Sequence, residues 1–204
     1  MKSSCLQMPF IYFSFVLAFL AAGCHSNPPG DTRLVEIVIE TGEGDIELEV
    51  YGDKAPESVK AFLAIVDKKL YDNTNFYRVL NNDNQPSNAP KAELLQGGLW
   101  NPRKKRPELP KIPHESTQVS GLKHLQGTVS LAREEPGSAS SEFFICMSDQ
   151  PGLDFGGANN PDGQGYAAFG RVTRGMDIVK KIYRKPETDQ YFDPPVPIFS
   201  ITRK

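Results

Sequence analysis

Leu34-Val-Glu-Ile-Val-Ile-Glu40 and Ile46-Glu-Leu-Glu-Val-Tyr51 alternate apolar and polar residues over their whole length. Each run therefore turns one face to a core and the other to water, the period of a half-buried strand. Thr41-Gly-Glu-Gly-Asp45 joins them, and glycine permits the tight reversal, so the pair reads as a β-hairpin. The period then changes. Val59, Phe62, Leu63, Val66 and Leu70 recur at helical spacing behind Pro56, which suits a first helical turn, and 56–69 reads as a helix with one buried face.

Working outward, strand-like runs follow at 75–80, 92–96, 127–132, 143–147 and 167–172. A second helix fits 176–183, where Ile178, Val179 and Ile182 are apolar, and a last strand fits 196–202. Many short strands, turns supplied by 17 glycines and 17 prolines, and only two helices make the chain mainly β, a closed antiparallel barrel or a sandwich. The 204 residues suffice for one domain with a sizeable core. A formal charge of −2 gives no reason to expect nucleic acid. The basic run Arg103-Lys-Lys-Arg106 sits among prolines without interleaved aromatics. It reads as a solvated loop, its most credible use a contact with anionic headgroups. Two more loops fall at 81–90 and 154–164.

His25, His114 and His124 are scattered, with no ligand spacing for zinc. His124, between Leu122 and Leu125, reads as a structural residue at a strand edge. No nucleophile elbow, phosphate loop or dinucleotide fingerprint occurs, and Asn160-Pro-Asp-Gly163 reads as a turn.

The first residues stand apart. Lys2 precedes an apolar run, 8–22, that no charge interrupts, and 1–23 reads as a secretory signal peptide. Leu20-Ala-Ala-Gly-Cys24 resembles a bacterial lipobox, with Ala21 where Leu is more usual. That resemblance implies lipidation of Cys24, a lipid-anchored tether over 24–33, a domain over 34–204, and a place in the cell envelope with the membrane as a partner. Cys5 would leave with the signal and Cys24 would be acylated. Cys146 then remains alone, and the mature domain has no internal disulfide.

Four segments, taken in order, resemble the cyclophilin family of peptidyl-prolyl cis-trans isomerases. They are Tyr71-Asp-Asn-Thr-Asn-Phe-Tyr-Arg-Val-Leu80, Leu94-Leu-Gln-Gly-Gly98, Gly127-Thr-Val-Ser-Leu-Ala-Arg133 running on to Ser141-Glu-Phe-Phe-Ile145, and Tyr166-Ala-Ala-Phe-Gly-Arg-Val172. The opening hairpin, the proline-started helix and the late Gly-Met-Asp-Ile-Val-Lys-Lys-Ile helix fit the same pattern. The resemblance implies a closed eight-stranded antiparallel barrel capped by two helices, with a substrate groove on its surface. It implies proline-containing unfolded polypeptides as partners and no cofactor or metal, and nothing in the sequence signals an oligomer, so a monomer is expected.

The chemistry expected of such a site is simple. Resonance stiffens the prolyl C–N bond, and the rotation barrier is roughly 18–20 kcal/mol. A catalyst needs only to bind the twisted amide better than either planar isomer. Twisting localises a lone pair on the prolyl nitrogen, so a fixed cationic donor beside it counts most in the transition state. By resemblance Arg78 is that donor and Gln96 orients it and the peptide backbone. Phe144, Leu94 and Leu153 would hold the ring, Ala132 and Arg133 would lie along the peptide, and Glu142 and Tyr166 would complete the groove. Phe143 points away from Phe144 on one strand and belongs, with Phe76, to the core.

Several positions depart from the family pattern. Glu142 replaces a substrate-binding Gln and sets a negative charge near Arg78, fit to orient or partly neutralise it. Tyr77 and Tyr166 replace His residues. Glu93 replaces a pocket aromatic, which would widen one wall. Gly152 stands near the Trp or Phe that binds cyclosporin, implying weak binding of that drug. The 81–90 loop looks like an insertion placed to cover the groove or select substrates. These departures keep an alternative open: a proline-peptide-binding chaperone module with little or no turnover.

Overall fold

The computed structural model describes residues 33–105 and 107–204. The inferred signal peptide, Cys24 and the tether up to residue 32 lie outside the described residues, as does Arg106. Strands β1 (Val35–Thr41) and β2 (Gly44–Val50) pair antiparallel from Val35↔Val50 to Thr41↔Gly44. The reversal is tighter than the five-residue stretch suggested by sequence. Thr41 Oγ1 donates to the Gly44 carbonyl at 2.7 Å and accepts from the Glu43 amide at 3.1 Å.

Helix α1 (Pro56–Asp67) follows, burying Val59, Phe62, Leu63 and Val66. Its first-turn amides lack a carbonyl partner within the helix, as at any helix start, and Ala55 offers no side-chain cap. The distant Glu115 supplies one: its carboxylate accepts from the Glu57 amide at 3.1 Å, the Ser58 amide at 2.8 Å and the Ser58 hydroxyl at 2.6 Å.

The remaining elements are β3 (Thr74–Leu80), β4 (Leu94–Gly98), α2 (Thr117–Ser120), β5 (Thr128–Leu131), β6 (Phe143–Cys146), β7 (Ala167–Arg174), α3 (Met176–Tyr183), β8 (Glu187–Thr188) and β9 (Tyr191–Arg203), with one 3-10 turn at Pro151–Leu153. Sheet order is β1-β2-β7-β5-β6-β4-β3-β9, and β9 returns to pair with β1. Eight antiparallel strands thus close into a barrel, and β8 adds a two-residue edge to β9. The expected barrel is present, with α2 and the 3-10 turn added to the two expected helices. The last strand starts at residue 191, five residues earlier than its sequence pattern, because Pro194, Pro195 and Pro197 mask it.

Strand alternation sorts the walls. Leu95, Val129, Leu131, Phe143 and Ile145 face the interior with Phe76, where Phe62 packs on Phe169 at 5.1 Å and edge-on to Phe143 at 5.9 Å. Burying each such side chain contributes roughly 1.5–3 kcal/mol. Leu94, Phe144 and Cys146, one residue out of phase, form a separate cluster with Ala92 and Leu153 on the outer face of β4 and β6. That outer cluster positions the site.

Candidate active site

A β-bulge aims Arg78. On the β4 side Phe76 pairs with Gly97 and Arg78 with Gln96, so Tyr77 is an extra residue in β3. Plain alternation would put Arg78 on the interior face with Phe76. The bulge resets the phase: Phe76 and Val79 face the core, while Tyr77 and Arg78 both open onto an outer groove of about 570 Å³. Tyr77, Arg78, Leu80, Leu94, Gln96 and Phe144 line its floor. Ala132, Arg133, Glu142 and Tyr166 are also at its surface, with a wall from Pro107, Glu108, Leu109 and Lys111.

The guanidinium sits at the centre of a hydrogen-bond relay. Nη1 of Arg78 donates to Gln96 Oε1 at 3.3 Å, and Nε and Nη2 donate to Gln190 Oε1 at 3.1 and 2.6 Å. Since the arginine only donates, Gln96 must turn its oxygen inward and its amide outward. That amide donates to the Tyr77 hydroxyl at 2.6 Å, and Tyr77 donates to Glu142 Oε2 at 2.7 Å. Burial first, then the Glu142 charge, push the Tyr77 phenol far above its ordinary pKa, so it stays a neutral donor. Trp100 packs at a tilt against Tyr77 at 4.8 Å and Tyr191 at 5.3 Å, holding the phenol from behind.

The structure directs Glu142 differently from the sequence expectation. Its carboxylate accepts from Tyr77, from the Leu99 amide at 3.2 Å and from the Ser141 hydroxyl at 2.9 Å, while the bonds that orient Arg78 come from Gln96 and Gln190. The carboxylate lies so close over Gly98, whose φ is 147°, that a Cβ there would collide with Glu142 Oε2.

His124 is the main residue whose place the sequence misplaced. It lies in the α2–β5 connection, 1% exposed, not on a strand edge. Its ring stacks on Phe144 at 6.0 Å and meets Tyr166 edge-on at 6.5 Å. Nδ1 and Asp154 Oδ1 are 2.8 Å apart, and Nε2 and Ser130 Oγ 3.1 Å. With the His124 backbone amide also on Asp154, at 3.0 Å, both ring edges are anchored, and the ring is a rigid backing for Phe144. Burial lowers its pKa against the opposing pull of Asp154. Burial also pushes up the pKa of the Cys146 thiol beneath the same floor.

Leu153 is 2% exposed and belongs to the layer under Phe144, outside the groove lining. Arg133 reaches the groove rim, but its side chain is committed. It forms a bidentate pair with Asp162 at 2.8 and 2.9 Å, donates to the Gly165 carbonyl at 2.8 Å through Nε, and lies over the Tyr166 ring at 5.2 Å. It is a clip that fastens the 154–165 loop and sets the Tyr166 face. The Ala132 amide is spent on the Glu142 carbonyl at 2.8 Å, so a peptide lying along Ala132 does not receive that donor. Glu93 is absent from the groove lining, and its carboxylate accepts from Ser148 at 2.7 Å. At Gly152 the Asn159 carboxamide occupies the place a side chain would take. The 81–90 loop contributes no lining residue. Gln190 was missed because it lies over a hundred residues from Arg78 in a loop with no motif.

Comparison with known proteins places this arrangement. The family model for cyclophilin type peptidyl-prolyl cis-trans isomerase/CLD matches residues 35–203. Peptidyl-prolyl cis-trans isomerase B of Escherichia coli (strain K12) is 37% identical over 147 residues, 72% of this chain and 82% of that protein. Peptidyl-prolyl cis-trans isomerase A of Dickeya dadantii (strain 3937) is 36% identical over 152 residues, 74% of this chain and 72% of that protein. The crystal structure of a Cryptosporidium parvum cyclophilin type peptidyl-prolyl cis-trans isomerase superposes with a TM-score of 0.65 at 22% identity, covering 84% of this chain and 98% of that one, a likeness of fold. The chain belongs to the cyclophilin-type peptidyl-prolyl cis-trans isomerase family.

Proposed function

We propose that this protein accelerates rotation about X-Pro bonds in unfolded or exported polypeptides. The observation that carries this is the fixed Arg78 guanidinium beside an apolar floor made by Phe144 and Leu94. The proline ring sits on that floor, and Arg78 donates toward the prolyl nitrogen as twisting localises its lone pair. Gln96 keeps one amide hydrogen free of Tyr77 for the peptide. Tyr166 closes the far side with a face set by Arg133. No bond breaks, so the whole effect is tighter binding of the twisted state.

The test is NMR exchange on a short Ala-Pro-Phe peptide. The domain should accelerate cis-trans exchange, and Arg78→Ala should cut that by about 100-fold, equivalent to about 2.7 kcal/mol. Peptide binding without acceleration would leave a proline-binding chaperone instead.

The same proposal places the domain as a monomer in the cell envelope, tethered by a lipid on Cys24 and free of the signal 1–23. The signal-like run ending at Leu20-Ala-Ala-Gly-Cys24 supports it. Expression with a labelled fatty acid should mark the wild-type chain and leave Cys24→Ser unmarked; equal labelling of both would remove the anchor.

A further inference from the structure

We propose that Gln190 is a positioning residue that holds Arg78 in its working orientation, and that the 81–90 insertion braces it through Asn84. This rests on Arg78 being the group that meets the prolyl amide. One carbonyl oxygen, Gln190 Oε1, accepts from both Nε and Nη2 of Arg78, which fixes the guanidinium plane as well as its position. Together with the bond to Gln96, this leaves one N–H on Nη1 and one on Nη2 for a ligand in the groove.

The carboxamide is itself held from every side. With its oxygen facing Arg78, its Nε2 must face outward, where it donates to the Asn84 carbonyl at 3.0 Å. Its backbone amide donates to Glu187 Oε2 at 2.7 Å, and its carbonyl accepts from the Val79 amide at 2.8 Å. Gln190 is thereby tied to the residue next to Arg78.

Asn84 closes the frame. Its Nδ2 donates to the Val79 carbonyl at 3.0 Å and to Glu187 Oε1 at 3.2 Å. The insertion is pinned in turn by reciprocal bonds of 2.9 Å, Asn81 amide to Asn84 Oδ1 and Asn84 amide to Asn81 Oδ1. Through Asn84 the insertion thus holds Gln190, the β3 backbone at Val79 and Glu187 together, and none of 81–90 lines the groove. The insertion is a brace behind the arginine, and it does not cover the substrate.

The experiment measures two things on Gln190→Leu, Gln190→Glu and Asn84→Ala: peptide exchange kinetics, and the Arg78 Nε–H resonance in nitrogen-edited NMR. Gln190→Leu should lower kcat about tenfold with KM unchanged, the size of one charge-assisted bond lost from the transition state. It should also shift and broaden the Arg78 Nε–H signal. Gln190→Glu keeps the acceptor and should recover kcat to within about threefold. Asn84→Ala should show a smaller loss of the same kind. In an Arg78→Ala background Gln190→Leu should add nothing.

An unchanged Nε–H signal and unchanged kcat in Gln190→Leu would overturn the proposal, as would an equal loss in the Arg78→Ala background. A wild-type domain with no isomerase activity, but with an Nε–H signal that depends on Gln190, would keep the positioning role and remove the isomerase reading.

Discussion

Burial holds the His124 pKa below the usual 6.5 in the folded protein, against the opposing pull of Asp154. In the unfolded chain the same ring takes up a proton near 6.5. Below that pH the unfolded state binds a proton the folded state refuses, so stability falls as pH drops through 6.5, by at most about 1.4 kcal/mol per pH unit. The groups that face the ring, Asp154, Lys123 and Ser130, are unchanged by an exchange to Asn. His124→Asn should therefore flatten the difference between urea midpoints at pH 7.5 and pH 5.5, and an unchanged difference would show that another group governs it. His124→Ala should cost about 2 kcal/mol or more, since it opens a space behind Phe144 and removes the ring bonds to Asp154 and Ser130. The residue types of Arg78, Gln96 and Phe144 were legible from their ordered motifs. The bonds of Arg133 and the ring of His124 were not, because their partners Asp162, Gly165, Asp154 and Ser130 become neighbours only through loop folding.

Among the elements, β3 shows why a correct strand assignment can still miss a direction. Residues 74–80 are a strand, as their composition indicates, yet alternation alone puts Arg78 in the core. Only the pairing with β4 reveals the extra residue at Tyr77. The early start of β9 was equally hidden, because its proline-rich first half lacks the alternating pattern that marks 196–202. Helix α3 carries a prediction of its own. Lys181 and Lys185 meet the Glu43 carboxylate at 2.8 and 2.6 Å, tying the helix to the β1–β2 turn. Hydrogen bonds from both lysines, Lys181 first, lower the Glu43 pKa to about 2 from 4.5. A carboxylate held below its unfolded value adds stability above pH 4.5 and loses it as pH falls toward 2. Glu43→Gln should thus melt below wild type at pH 6 in low salt. That gap should close between pH 4.5 and 2, and shrink in high salt because the pair is exposed. A gap that survives pH 2 would assign the effect to packing.

At the scale of the whole molecule, the mainly β class and the barrel were legible from many short alternating runs, while the order of strands around it was not, since it depends on partners far apart in the chain. The single thiol among the described residues gives a probe of that closed wall. Cys146, in β6 beside Leu94 of β4, is fully buried in the cluster under the groove, and burial pushes its thiol pKa up. A thiol reagent should leave it unmodified in the native domain and modify it in urea. Rapid modification under native conditions would mean that the β4–β6 wall opens locally. Closure itself has a consequence for timing. Val38 of β1 takes Thr202 of β9 as its neighbour, and the Lys204 amide reaches the Glu36 carbonyl at 3.0 Å. Among the described residues β1 comes first, and its second edge is filled only by β9, the strand furthest from it in sequence. Until β9 docks, the folding chain therefore carries an open sheet edge and is vulnerable to mispairing.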